Sequence, residues 1–183
     1  MSSELISRHW LVLVIIDMQE KLIAKIAEKD LLIENVKKLI SFARIMNIPI
    51  VLTEQYPKGL GGTIPEIKTL LLDVEPIEKV EFSCFKSAKF AETLREINAR
   101  TLIISGIEAH ICVMQTALDG LIRGYRPCVV YDAVSSRRLE DKEVAINRMR
   151  QCGVTIATTE MLMYEILEKA GTQEFKEALK LVK

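Results

Sequence analysis

The chain of 183 residues contains no apolar run approaching the roughly 18 residues that cross a bilayer. Its first residues carry Glu4 and lack the charged-then-apolar order of an export signal, so a cytoplasmic location is the expectation. An excess of one charge sign is also missing: Lys and Arg total 25, and Asp and Glu total 25. No basic surface therefore favours nucleic acid or an anionic membrane as partner. Histidine is limited to His9 and His110, and Cys84, Cys112, Cys128 and Cys152 never form a CxxC pair. A zinc cluster and a disulfide framework are both disfavoured. Aromatic residues make up 5% of a chain that is 49% hydrophobic, so the core must be aliphatic. Repeats, low-complexity segments and linkers are absent, which reads as one domain over residues 1–183.

What is present is a set of short aliphatic runs at 10–16, 48–52, 102–104, 128–131 and 154–157. Each is apolar on consecutive positions, the pattern of parallel strands buried on both faces. A sixth run at 76–80 is weaker, because Glu78 and Lys79 interrupt it. Helical patterns fill the gaps at 20–47 (with a break near Lys29-Asp30), 87–98, 110–123, 140–151, 159–170 and 173–181. This alternation predicts an α/β, doubly wound, Rossmann-like fold, in which ligands bind at the carboxyl ends of the strands. The dinucleotide fingerprint GxGxxG is missing after the first strand, so no nicotinamide cofactor is expected. KGLGG at 58–62 reads as a loop covering the site.

Several side chains sit where chemistry would occur. Cys112 follows the third run and Gly106, at the start of a helix, where N–H groups and the helix dipole lower a thiol pKa. Asp17 closes the first run and reads equally as a helix cap or a general base. Lys79 is flanked by Ile77, Val80 and Phe82, which argues for partial burial beside the site. Glu108 and His110 bracket the helix start as caps or as walls of a pocket. Cys128 reads as core, Cys152 as a helix end, and the role of Cys84 stays open. In the helix at 110–123, Val113, Ala117 and Leu121 form one apolar row, and Met114, Leu118 and Ile122 the next. A helix apolar over so much of its surface needs covering on more than one side, by a neighbouring helix or a second subunit, and the second, a homo-oligomer interface, is the favoured expectation.

Taken together, VIIDMQEK (14–21), VLTEQYPKGLG (51–61), EKVEFSCF (78–85), SGIEAHICVMQTALD (105–119), YDAVSSR (131–137) and TEMLMYEIL (159–167) resemble the isochorismatase-like cysteine hydrolases, most of all the isochorismatase-domain-containing branch. The resemblance implies a three-layer α/β/α fold with a six-stranded parallel sheet. It implies a catalytic triad on Asp17, Lys79 and Cys112, and a cis peptide between Ile107 and Glu108. The backbone N–H groups of Glu108 and Cys112 would then form an oxyanion hole. A substrate pocket would involve Gln19, Gln55, Tyr56, Phe82, His110 and Ile111. Relatives that bind a metal do so through an Asp and histidines after the second strand; here that segment reads Thr53-Glu54-Gln55-Tyr56, so no metal is expected. The implied activity is hydrolysis of a small-molecule amide or related C–N bond through a thioester. Two other readings stay open: an idle family member acting as an oligomeric binding protein, and a redox-active thiol with Cys84 as the resolving partner.

Overall fold

Leu11, Leu13 and Ile15 enter one hydrophobic cluster while Val12, Val14 and Ile16 enter another, so the first strand is buried on both faces. The computed structural model, which describes residues 5–182, extends this pattern across a sheet of six parallel strands. These are β1 (Leu11–Ile16), β2 (Ile50–Gln55), β3 (Ile77–Lys79), β4 (Thr101–Ile107), β5 (Arg126–Ser135) and β6 (Thr155–Ala157). Their order is β3-β2-β1-β4-β5-β6, with every pairing parallel. The order reverses between β1 and β4, which makes their carboxyl ends the switch point where ligands bind.

The helices are α1 (Glu20–Ile23), α2 (Lys29–Ile45), α3 (Pro57–Leu60), α4 (Pro65–Lys68), α5 (Ala88–Glu96), α6 (Met114–Ile122), α7 (Leu139–Gln151), α8 (Thr159–Leu167) and α9 (Gln173–Val182). Residues of α2, α8 and α9 build the cluster on one side of the sheet; residues of α5, α6 and α7 build the other. Leu32, Val36, Leu39, Ile40 and Ala43 form the buried stripe of α2 at helical spacing. That helix stops at Asn47, whose φ of 54° turns the chain while Ile48 N–H bonds the Ala43 carbonyl at 2.8 Å. Gly153 ends α7 in the same way, with Val154 N–H reaching the Met149 carbonyl at 3.0 Å. Among the described residues, no helix is long and apolar enough to cross a membrane.

Three local differences from the sequence reading bear on the site. β2 runs on through Thr53, Glu54 and Gln55, because hydrogen bonds satisfy these polar side chains at the end of the strand. The segment expected to cover the site as a loop folds instead into the single turn α3, tied to the rest by a Gln19–Thr63 bridge. The helix expected from residue 110 opens as a π turn, Ala109–Val113, before α6 begins.

Candidate active site

β4 must pass the end of β1 closely, and Gly106 is what permits it. Its φ is +104°, and a Cβ there would lie 2.1 Å from the Ile16 carbonyl oxygen. The ladder to β5 shifts register between Ile104 and Gly106. Past it, the Ile107–Glu108 peptide is cis and the π turn begins. Ile111 and Val113 both donate to the Glu108 carbonyl, at 3.0 and 3.2 Å, with Cys112 between them. Such turns are frequent at functional sites.

The structure brings Asp17, Lys79 and Cys112 together at the carboxyl ends of β1, β3 and β4. Asp17 leaves β1 with φ 52° and is completely buried. It does not cap α1, whose cap position is Gln19. Instead its Oδ1 accepts from Thr53 Oγ1 at 2.7 Å and its Oδ2 from Lys79 Nζ at 2.6 Å. The same carboxylate acts on the Cys112 thiol, raising its pKa. Lys79 is buried, and its Nζ also donates to Gln55 Oε1 at 2.7 Å and to the Glu81 carbonyl at 3.4 Å.

Electrostatics here correct one expectation. Burial first, and the Asp17 carboxylate second, push the Cys112 thiol well above its ordinary pKa; Lys79 opposes them without prevailing. The proton therefore rests on sulfur, and the helix start does not release it unaided. Burial disfavours the Lys79 ammonium, but Asp17, with help from the two thiols, leaves its pKa above the ordinary lysine value. Cys84 is fully buried within the same field, and burial raises it to about 11. Its backbone N–H bonds Thr116 Oγ1 at 3.0 Å, one helical turn beyond Cys112.

The remaining site candidates divide into two groups. Gln19 is fully buried, and its amide donates to the Gln55 and Gly61 carbonyls at 2.9 and 2.7 Å while accepting from Gln55 N–H at 2.7 Å. With the Gln55 side chain on Lys79, both amides are engaged by the protein. Tyr56 and Phe82 stand about half exposed, and Tyr56, Pro57, Val80 and Glu81 line a groove of about 410 Å³ beside Lys79. His110 Nδ1 lies 2.9 Å from Ser136 Oγ, and Ile111 beside it is half-buried. Glu108 Oε2 accepts from Arg137 N and Nε at 3.0 and 3.1 Å, which ties the π turn to the end of β5. Asp132, inside β5, serves elsewhere and accepts from Thr159 N and Oγ1 at the start of α8.

Thr53 is the functional candidate the sequence reading missed. The available signal was its period-two relation to Gln55 at the mouth of a buried strand. In the segment where metal-binding relatives carry ligands, Thr53 holds Asp17, Glu54 holds Thr63, and Gln55 holds Lys79. Among the described residues, no group of three or more His, Cys, Asp or Glu is placed to hold a metal ion.

Known proteins share this arrangement of chain. The isochorismatase domain model matches residues 11–161. Isochorismatase domain-containing protein 2 of Homo sapiens is 40% identical over 172 residues, covering 94% of this chain and 82% of its own. The solved structure of MAR1 ribonuclease from Caenorhabditis elegans superposes with a TM-score of 0.91 at 37% identity, covering 98% of this chain and 92% of that one. An octameric YcaC hydrolase of unknown specificity from Escherichia coli superposes at 0.87 with 24% identity, over 92% of this chain and 85% of that one, a likeness of fold. With a family model spanning most of its length and relatives of this similarity, the chain belongs to the isochorismatase family.

Proposed function

We propose that this protein is a cysteine-dependent hydrolase of small amides or related C–N bonds. One observation carries the reading: a single buried carboxylate, Asp17, meets the Lys79 ammonium at 2.6 Å and its charge also acts on the Cys112 thiol. Because the resting thiol is neutral, activation requires an adjacent base, and Asp17 is the carboxylate whose charge acts on it. Asp17 takes the sulfur proton as Cys112 Sγ bonds to the substrate carbonyl carbon. The carbonyl oxygen becomes an oxyanion held by the N–H groups of Glu108 and Cys112; losing one such donor costs roughly 10²–10³ in rate. Collapse breaks the C–N bond, and Asp17 returns its proton to the departing amine. Asp17 then deprotonates a water that attacks the thioester, releasing the carboxylic acid and restoring the thiol. Lys79 remains an ammonium throughout and stabilises both anions.

The Tyr56 and Phe82 rings and the groove beside Lys79 supply the contacts for the substrate's body. Ile122, 84% exposed at the end of α6, supports assembly into a homo-oligomer. The four unpaired cysteines suit a reducing compartment, in keeping with a cytoplasmic location.

Mass spectrometry of protein incubated with an amide library tests the reaction. An acyl mass on the wild type that is absent from Cys112→Ala supports it. Turnover of any amide that survives Cys112→Ala refutes it, as does RNA cleavage, the activity named for the C. elegans relative, with no acyl adduct from any amide.

A further inference from the structure

Lys79 has more holding it than an ion pair. An ammonium offers three donors, and three acceptors surround Nζ: Asp17 Oδ2 at 2.6 Å, Gln55 Oε1 at 2.7 Å and the Glu81 carbonyl at 3.4 Å. Gln55 is itself oriented, since its Nε2 donates to the Val80 carbonyl at 2.7 Å. Reversing that amide would set its NH₂ against the ammonium and its oxygen against a carbonyl, so only one orientation fits. The Gln55 backbone is clamped as well. Its N–H donates to Gln19 Oε1 at 2.7 Å and its carbonyl accepts from Gln19 Nε2 at 2.9 Å, a reciprocal pair formed by a buried side chain.

Two residues earlier, on the same face of β2, Thr53 donates to Asp17 Oδ1 at 2.7 Å. Glu54 lies between them and points away, accepting from Thr63 N and Oγ1 at 2.7 Å each. Strand alternation therefore sends one carboxylate to anchor the neighbouring segment and turns two neutral groups toward the charge pair. Neutral groups suit that place. A carboxylate at either position would compete with Asp17 for Lys79, and a cation would compete with Lys79 for Asp17.

We infer that Gln55 and Thr53 are positioning residues, which fix the Lys79 ammonium and the Asp17 carboxylate so that the remaining carboxylate lone pairs face the Cys112 thiol. The inference rests on the reading of Asp17, Lys79 and Cys112 as one catalytic unit and deepens it, because the second strand becomes part of that unit. Glu108 and Arg137 belong to a separate pair at the end of β5 and do not take part.

The test reads Lys79 directly. In ¹H–¹⁵N spectra tuned to ammonium groups, the wild-type Lys79 signal, assigned by its loss in Lys79→Met, is expected to persist at neutral pH because its protons are buried and bonded. Gln55→Leu should speed exchange of those protons with water at least tenfold. In Gln55→Leu the pH midpoint for iodoacetamide alkylation of Cys112 should rise by about one unit, a roughly tenfold loss of rate below the midpoint. Thr53→Val should move that midpoint, and Thr53→Ser should return it. A folded Gln55→Leu protein with wild-type ammonium exchange and a wild-type Cys112 midpoint overturns the inference. Should that variant fail to fold, Gln55→Asn withdraws the acceptor by one methylene and is held to the same criterion. Failure to trap any acyl adduct on wild type would count against the hydrolase and leave these ammonium readings to stand or fall alone.

Discussion

Lys79 Nζ lies 2.6 Å from Asp17 Oδ2, and neither side chain reaches solvent. A buried pair of this kind punishes the loss of either partner more than the loss of both. Lys79→Met or Asp17→Asn should each cost about 3–5 kcal/mol, since each leaves an uncompensated polar group inside. The double variant should be less destabilised than the sum of the two. Urea denaturation of the three proteins measures the coupling; strict additivity would mean that the charges do not interact.

On the proposed mechanism, Asp17 would play opposite parts toward a simple alkylating agent and toward a substrate. Its negative charge helps hold the Cys112 proton on sulfur. Asp17→Asn keeps the shape, removes that charge and leaves Lys79 in place, so the thiol pKa should fall. Iodoacetamide should then modify Cys112 on the order of tenfold faster near pH 8, while thioester formation from an amide is lost. Slower alkylation in this variant would remove Asp17 from the thiol's field.

Stability should decline in alkaline solution as the buried thiols titrate. Burial raises Cys84 from 9.0 to about 11 and Cys128 from 9.0 to about 12, and Cys112 is also raised. Each folded-state value exceeds the unfolded one, so each contribution is complete below pH 9 and is lost as pH rises toward the folded value. The unfolded chain binds fewer protons in this window, and the expected slope is about 1.4 kcal/mol per pH unit for each thiol. Lys79, also raised, adds to the loss only above 10.5. Urea midpoints from pH 7.5 to 10.5 measure the slope, and Cys84→Ala with Cys128→Ala should flatten it by roughly two thirds. A flat profile in wild type contradicts the assigned shifts.

Gly106→Ala tests whether the approach of β4 to β1 shapes the site. The new methyl would lie 2.1 Å from the Ile16 carbonyl oxygen at a φ of +104°. Backbone on one side and an unfavourable dihedral on the other leave no cheap relief, so a loss above about 2 kcal/mol is expected. Since Asp17 directly follows Ile16, Cys112 alkylation should change in the same variant. A melting temperature within a degree of wild type would be inconsistent with this packing.

Ile122 is 84% exposed at the end of α6, while Val113 and Ala117 on the inner row are buried. Ile122→Glu should leave the fold intact and lower the assembly state, as measured by light scattering during size-exclusion chromatography. A wild-type protein that runs as a monomer at micromolar concentration would refute the oligomer.

The sheet was readable in advance because its strands are continuous aliphatic runs, and even the weak β3 was placed by Ile77 and Val80 on either side of its charges. Asp17 and Cys112 stood out because Asp17 closes an aliphatic run and Cys112 opens the helix after another, whereas their grouping with Lys79 as a triad came from the family resemblance. The interior field was not readable: a thiol at a helix start suggests a lowered pKa, but burial and a carboxylate from a strand far away in sequence outweigh the helix. Thr53 was overlooked for a related reason. A threonine at a strand end is ordinary in sequence, and its hydroxyl matters only because β1 brings a carboxylate beside it. The π turn at Ala109–Val113 likewise has no local pattern that separates it from the α-helix it precedes.

The crowding of Lys79 also bears on how such a protein would survive its own chemistry. A thioester is an acylating agent, and a neutral amine close to it would capture the acyl group as a permanent amide. With its three N–H bonds directed at Asp17, Gln55 and Glu81, Lys79 has no lone pair to offer. Under the proposed chemistry, the lysine beside Cys112 would be inert toward a thioester there, and the protein would be protected from acylating itself.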